Sequence, residues 1–214
     1  NIWLSSASNN NITSNTLKSS GYGIIICNNV TTSTCTTSPE SNNTIMTNNI
    51  INNTGVWDIY LGNSTGGGNF SAYSINNSLT KSKINVTGGG ILYNQYYLAV
   101  HVQDINSVAV DAATINATDS GIYTTFNPTS SFNKSTGIAG DVVQTLTEFM
   151  ANATNTTVSR FIYFTNYTVN ASKANYFNST PTIRTINLTE SQNLTFVLTN
   201  PMIYVLNIGT SGLD

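Results

Sequence analysis

The side chains able to do acid–base or metal chemistry are few in this chain and widely spread. His101 is the only histidine, so neither a serine triad nor a histidine metal cluster can be assembled from it. Lying in an alternating run, it faces away from Val100 and Val102, toward solvent or an interface. Before residue 93 the acids are Glu40 and Asp58 and the bases Lys18, Lys81 and Lys83. Polysaccharide cleavage calls for paired carboxylates, or a carboxylate-held cation with a base; this set points to neither, and no catalytic residue and no cofactor is expected. Asp104 with Asn106, or Asp119 with Ser120, could offer oxygens to calcium. Turn residues at strand ends have the same composition, so no metal ligand is assigned.

Two covalent chemistries remain. Cys27 and Cys35 flank a Thr/Ser loop at a separation compatible with a small disulfide staple, with two free thiols as the alternative. The staple fits the extracellular character of the rest of the chain. The N-glycosylation acceptor pattern Asn-x-Ser/Thr occurs at Asn11, Asn29, Asn42, Asn52, Asn63, Asn69, Asn76, Asn85, Asn116, Asn133, Asn152, Asn155, Asn166, Asn170, Asn178, Asn187 and Asn193. A chain rich in Asn and Thr makes many such tripeptides by chance. Chance does not set their phase, however. Around Asn116, in Asn166–Ala171 and in Asn193–Leu198, the acceptors stand opposite to the apolar residues of alternating runs, as on strands with sugars outward.

Composition sets the environment these groups work in. Asp, Glu, Lys and Arg make up 7% of the chain, against roughly 25% in an average soluble domain, and Asn, Thr and Ser take the surface positions instead. Seven basic residues, scattered from Lys18 to Arg184, cannot form the patch that nucleic acid requires. They do not suit an anionic membrane surface either. No run of about twenty apolar residues is present for a membrane span. Apolar residues still make 39% of the chain and are patterned, which argues for a folded protein rather than a disordered one. The chain opens at Asn1-Ile2-Trp3-Leu4 with no signal peptide, and is expected to be processed or cut from something longer. Few ionisable groups under dense glycans would suit an acidic exterior, where protonation of paired carboxylates unfolds other proteins.

The elements that would carry these groups fall into two segments. In residues 1–92, Ser8–Asn29 and Ser41–Asn63 share a plan: Ile12, Asn15 and Leu17 recur as Ile45, Asn48 and Ile50, and Gly21, Ile25 and Asn29 as Gly55, Ile59 and Asn63. Ile2/Leu4, Ile25/Cys27 and Ile59/Leu61 take equivalent places, with Cys27–Glu40 an insertion in one coil. Asn, Thr, Gly and β-branched residues disfavour helix, and coils of this length that stack strand on strand describe a right-handed parallel β-helix. Asn15 over Asn48 would form an amide ladder, or the asparagines serve as turn residues in left-handed conformation; both can hold together. Ile75, Leu79, Ile84 and Val86 make a worn further coil that Gly88-Gly89-Gly90 closes. This segment resembles the NosD-type β-helix repeats of archaeal and bacterial surface and periplasmic proteins.

Residues 93–200 alternate instead. Tyr97–Asp104, Ala113–Ala117, Ile122–Phe126, Phe161–Phe164, Tyr167–Ala171, Thr182–Leu188 and Leu194–Leu198 read as short strands of an antiparallel sandwich. Asp141-Val142-Val143-Gln144 has the form of a helix N-cap, and Val142, Val143, Leu146, Phe149 and Met150 fit a helical stripe, predicting one short helix. Val100-x-Val102-x-Asp104, Ala113–Gly121 and Tyr167–Tyr176 resemble the carboxypeptidase-regulatory-like or transthyretin-like, Ig-type β-sandwich. That resemblance implies a spacer, adhesive or stalk module. It also raises a Lys–Asn isopeptide crosslink of the kind found in adhesin modules, joining Lys173 to an asparagine with Glu190 nearby. The aromatics, among them Tyr93, Tyr97, Tyr163 and Tyr167, are expected in the core, or as a sugar-stacking platform.

The fold class expected is therefore all-β, a short parallel β-helix followed by an Ig-like sandwich with one short helix, and a C-terminal strand or tail over residues 201–214. The function expected is that of an extracellular, densely N-glycosylated structural protein of an archaeal cell surface, a stalk, sheath or filament subunit. Its partners would be copies of itself or other surface proteins, met by strand pairing. The stack has few coils and an open first one, so either further coils of a longer parent chain or a neighbour's strand would complete it, with Met202–Ile208 the segment expected to pair with a neighbour. A glycan-binding adhesin is the alternative, and a carbohydrate-active enzyme the third.

Overall fold

The computed structural model of the chain describes residues 1–5, 7–18, 21–27, 30–31, 34–35, 44–52, 54–62, 70–119, 132–152, 160–178 and 183–200, with backbone alone at 30, 31, 34, 35, 160 and 178. Short runs of Ile, Val and Thr between Asn and Gly corners favour extended backbone, and the first part of the chain winds such runs into stacked coils. The first coil holds β1 (Ile2–Ser5), β2 (Asn11–Thr13) and β3 (Thr16–Leu17). The second holds β4 (Tyr22–Cys27), a hairpin of β5 (Val30–Thr31) and β6 (Thr34–Cys35), then β7 (Thr44–Thr47) and β8 (Ile50–Ile51). The third holds β9 (Trp57–Gly62) and β10 (Phe70–Ile75), with Ser78 bridged to Ile50. A 3-10 turn, Lys81–Lys83, leads into β11 (Ile84–Val86) and β12 (Gly90–Asp104).

Strands of successive coils pair in parallel, in the orders β1-β4-β9-β11, β2-β7-β10-β12 and β3-β8. The register stacks Ile2, Ile24, Ile59 and Ile84 in one inward column and Leu4, Ile26, Leu61 and Val86 in another. With Met46, Ile51 and Leu92 these columns fill the coil interior. The stack differs from the expected alignment by one residue along the whole repeat: Ile12 and Leu17 are level with Met46 and Ile51, and Ile45 and Ile50 are exposed. Ile24, not Ile25, stands over Ile2 and under Ile59, and Asn49, not Asn48, is level with Asn15. In β4 the residues from Gly23 to Cys27 are all buried, so alternation gives no phase there.

The second part adds β13 (Thr114–Asp119), β14 (Phe132–Ser135), β15 (Asp141–Asn152), β16 (Arg160–Tyr163), β17 (Tyr167–Ser172), β18 (Phe177–Asn178), β19 (Ile183–Ile186) and β20 (Gln192–Thr199). β14-β13-β17-β19 form one antiparallel sheet. β15, β16, β18 and β20 instead join the sheet that β12 brings from the coils. Leu98, Val100, Leu146 and Phe196 from that sheet meet Ile115, Tyr167, Val169 and Ile186 from the other in a second core. The change in composition at residues 92 and 93 thus falls inside a single strand.

Two expectations are corrected here. Residues Asp141–Asn152 are a strand and no helix forms around Met150; the 3-10 turn is the one helical piece among the described residues. β15 pairs with β12 from Ile91 to His101, and at Asn94/Gln95 the register shifts, leaving Glu148 as a bulge between Thr147 and Phe149. The extra residue changes the phase of inward positions. Val142 and Leu146 precede it on one parity, and Phe149 and Ala151 follow on the other, inside the coil core. Steps of four and then three are also the signature of a helix. The second part is also not wholly antiparallel: β20 runs parallel to β12, over Leu98–Asp104.

Candidate functional site

The turns of the stack place a file of asparagines inside one corner. Ser14, Asn48 and Asn76 hold positive φ of 56°, 54° and 51°, a conformation that Asn tolerates better than most residues. The next residue of each coil turns inward. Asn15 donates from N and Nδ2 to Asn49 Oδ1 at 2.9 and 3.0 Å, and Asn49 donates from N and Nδ2 to Asn77 Oδ1 at 2.7 and 2.9 Å. Asn49 Nδ2 also reaches Ile12 O at 2.9 Å and Asn77 Nδ2 reaches Met46 O at 2.7 Å. In the second and third coils the first of two adjacent asparagines makes the turn and the next the buried ladder, and the turn asparagines are themselves bonded, Asn76 Nδ2 donating to Asn48 Oδ1 at 2.8 Å.

At the far end the ladder passes into charged groups. Asn77 Nδ2 donates to Ser74 Oγ at 3.0 Å, Ser74 Oγ to Asn94 Oδ1 at 2.9 Å, and Asn94 Nδ2 to Glu148 Oε2 at 3.0 Å. Lys81 Nζ, from the 3-10 turn, donates to Glu148 Oε1 and lies 5.8 Å from the Phe149 ring centre. Glu148 is 1% exposed and Lys81 40% exposed in this pair. Tyr96 stands on the other side; burial raises its phenol pKa, while the hydrogen bond from Asn94 opposes that and the Glu148 charge adds to it. On the other side of the turn, buried Asp58 accepts from Thr54 Oγ1 and, at 2.6 Å, from Thr80 N, and Lys83 Nζ donates to Thr54 O. A carboxylate in low dielectric is tolerated only when its oxygens are met by donors, and both of these are. The arrangement does the work of a joint, fixing the last turn of the coils to the bulge of β15.

Other candidate residues go to separate places. His101 Nδ1 is 2.7 Å from Asp141 Oδ1, directly across the β12–β15 ladder. Asp104 Oδ1 accepts from Asn106 N and Val108 N, both at 2.8 Å, capping its own turn, which accounts for the pattern that suggested calcium. Among the described residues no three His, Cys, Asp or Glu side chains converge on a metal position. Lys173 Nζ donates to Asp111 O and lies 5.6 Å from the Tyr176 ring centre, so its ammonium is held there and not on a side-chain amide. Tyr73 and Tyr93, both half-buried, stack on each other, 5.2 Å between centres and 17° between planes, so each ring has one face on the other. Cys27 is buried at the end of β4 and disulfide-bonded; Cys35, the other cysteine of the chain, lies in β6.

Of the acceptor asparagines, Asn11, Asn116, Asn133, Asn166, Asn187 and Asn193 are exposed, and Asn52, Asn76, Asn85 and Asn170 half-buried. Asn152 is a correction: at 3% exposed, inside the β12–β15–β16 sheet, it has no room for a glycan. Asn76 also uses its amide in the stack, donating to Asn48 Oδ1 and accepting from Ser191 Oγ. Asn29, Asn42, Asn63, Asn69, Asn155 and the side chain of Asn178 lie outside the described residues, as do Ser120 and the segment 201–214.

The Lys81–Glu148 joint is what sequence reading missed. Its partners are far apart in the chain, and the one local sign was a lone acid in an apolar run, Thr147-Glu148-Phe149. No helix of the described residues is long and apolar enough to cross a membrane. Set against protein-family models, curated proteins and solved structures, the chain matches none.

Proposed function

We propose that this chain is an extracellular, N-glycosylated structural protein of an archaeal cell surface, in which a short right-handed parallel β-helix of NosD type runs into an Ig-like sandwich. Copies assemble into a stalk, sheath or filament by strand addition on the first coil. The observation that carries this reading is the state of β1. It pairs with β4 alone among the described strands, Ile2 and Leu4 are half-buried, and Trp3 is 53% exposed. An edge strand in this state is covered either by preceding coils of a longer chain or by a strand from a neighbour, and assembly follows from the second. The opposite end of the stack is covered by β15 and β16 and carries the Lys81–Glu148 joint, so addition is directed to one end.

The low charge and the exposed acceptors Asn116 of β13 and Asn133 of β14 support a surface role. Sedimentation across a concentration series tests the assembly. The native sequence is expected to form larger species, and W3K/S5K, which places lysines on the edge at two exposed positions, to stay monomeric. A monomer at every concentration, together with native surface material free of repeating arrays, would overturn the proposal.

A further inference from the structure

The outer face of the β14-β13-β17-β19 sheet is laid out as a grid of acceptor tripeptides. Asn133 of β14, Asn116 of β13 and Asn170 of β17 stand directly opposite one another across three strands. Each is the first residue of an Asn-x-Ser/Thr tripeptide, completed by Ser135, Thr118 and Ser172. Residues i and i+2 of a strand share a face, so the hydroxyls stand beside their asparagines. Ile115, Ala117, Val169 and Ala171 fill the opposite face, all buried. Asn116 and Asn133 are exposed and Asn170 half-buried.

Directly opposed side chains on neighbouring strands have Cβ atoms about 5 Å apart, whereas β14 and β17, with β13 between them, are separated by about 10 Å. A glycan leaves its asparagine through a planar amide and a pyranose ring with equatorial substituents. That first sugar is broader than one strand spacing and has little freedom to lean aside, but it fits within two spacings. A glycan on one strand also covers the neighbouring amide against the modifying enzyme.

We infer that this row carries N-glycans on alternate strands, modified either at Asn116 or at Asn133 and Asn170, and never at two directly opposed asparagines of one molecule. The inference rests on the glycoprotein reading and adds an occupancy rule to it. Site occupancy measured by glycopeptide mass spectrometry on the protein from its own cells tests both. The occupancies of Asn116 and Asn170 are expected to sum to no more than one glycan per molecule, and those of Asn116 and Asn133 likewise. Removing whichever member is modified releases the other: N116Q raises Asn133 and Asn170, or N133Q/N170Q raises Asn116, by up to the fraction removed, while Asn187 and Asn193 stay unchanged. T118A, which leaves Asn116 in place but removes its acceptor pattern, repeats the N116Q result without changing the asparagine. A sum above one glycan per molecule overturns the rule, as does no rise in any variant, or a bare row on a chain glycosylated at Asn193. A chain with no glycan at any acceptor overturns the glycoprotein reading and the rule together.

Discussion

Lys81 and Glu148, 67 positions apart in the chain, form an ion pair in which the carboxylate is buried and the ammonium half in water. The asymmetry decides what each substitution costs. Lys81→Met strands a carboxylate in the interior with Asn94 as its remaining donor, while Glu148→Gln leaves an ammonium that can turn to solvent. Breaking a fully buried pair costs about 3–5 kcal/mol. For K81M about 2–4 kcal/mol is expected, and for E148Q about half of that, discounted for the exposure of Lys81. Urea denaturation of both variants measures the difference. Equal losses, or a larger loss in E148Q, would show that desolvation of the carboxylate is not what the pair relieves.

Asn48 and Asn49 are neighbours with different tasks, and substitution separates them. Asn49→Ala removes an amide that serves Ile12 O and Asn77 Oδ1 and accepts from Asn15, with a cost of about 2–3 kcal/mol for the buried groups left unmet. Asn48 holds φ at 54°, so Asn48→Ala strains the turn by about 1 kcal/mol while Asn48→Gly relieves it. Thermal unfolding should rank N49A below N48A and N48A below N48G. A ranking with N48G least stable would show that the Asn76–Asn48 bond outweighs the turn strain at residue 48.

Gly23 lies where two coils touch. A Cβ there would meet Asp58 O at 2.5 Å and Ile51 Cγ2 at 2.4 Å, while one at Gly21 would meet nothing within 4 Å. Gly23→Ala therefore forces β4 away from β9 and costs about 1–3 kcal/mol, the range for overpacking, whereas Gly21→Ala is near neutral. A shift in the denaturation midpoint confined to G23A is the expected result. Similar shifts in both would mean that chain entropy rather than contact sets the cost.

Alkaline pH acts through two tyrosines. Burial raises Tyr93, with a smaller push from Tyr73, and burial raises Tyr96 despite its Asn94 hydrogen bond. A raised folded-state pKa favours the neutral phenol in the fold. The stability it contributes is complete below the ordinary value of 10.0 and lost as pH rises through the higher folded values. Phenolate absorbance should show these two rings titrating above the ordinary value of 10.0, and Tyr96→Phe should flatten the loss of stability above that pH. Titration of Tyr93 and Tyr96 at or below 10.0 in the folded protein would contradict it.

Much of the architecture was legible because alternation and repeat spacing respond to the same cores that bury the residues. The outward phase of Asn116, Asn166 and Asn193 followed from Ile115, Tyr167 and Leu194 alone. Phase failed where both faces of a strand are covered, as at Ile24–Cys27. Secondary structure failed where the Glu148 bulge imitates helical spacing. The joint was illegible for a different reason: a charge pair between residues 81 and 148 leaves no periodic trace, since only the completed fold brings the turn and the bulge together.

The fifteen-residue strand β12 has a mechanical meaning. Its first half is a rung of the coil stack and its second half the backbone of the two-sheet part, with no linker between them, so the joint cannot swing as a hinge. Its ladder with β15 spans both halves. A tensile load directed along β12 would meet many of these hydrogen bonds in shear at once instead of unzipping them singly. A subunit built this way would transmit tension as a strut does, yielding only when the whole ladder slips.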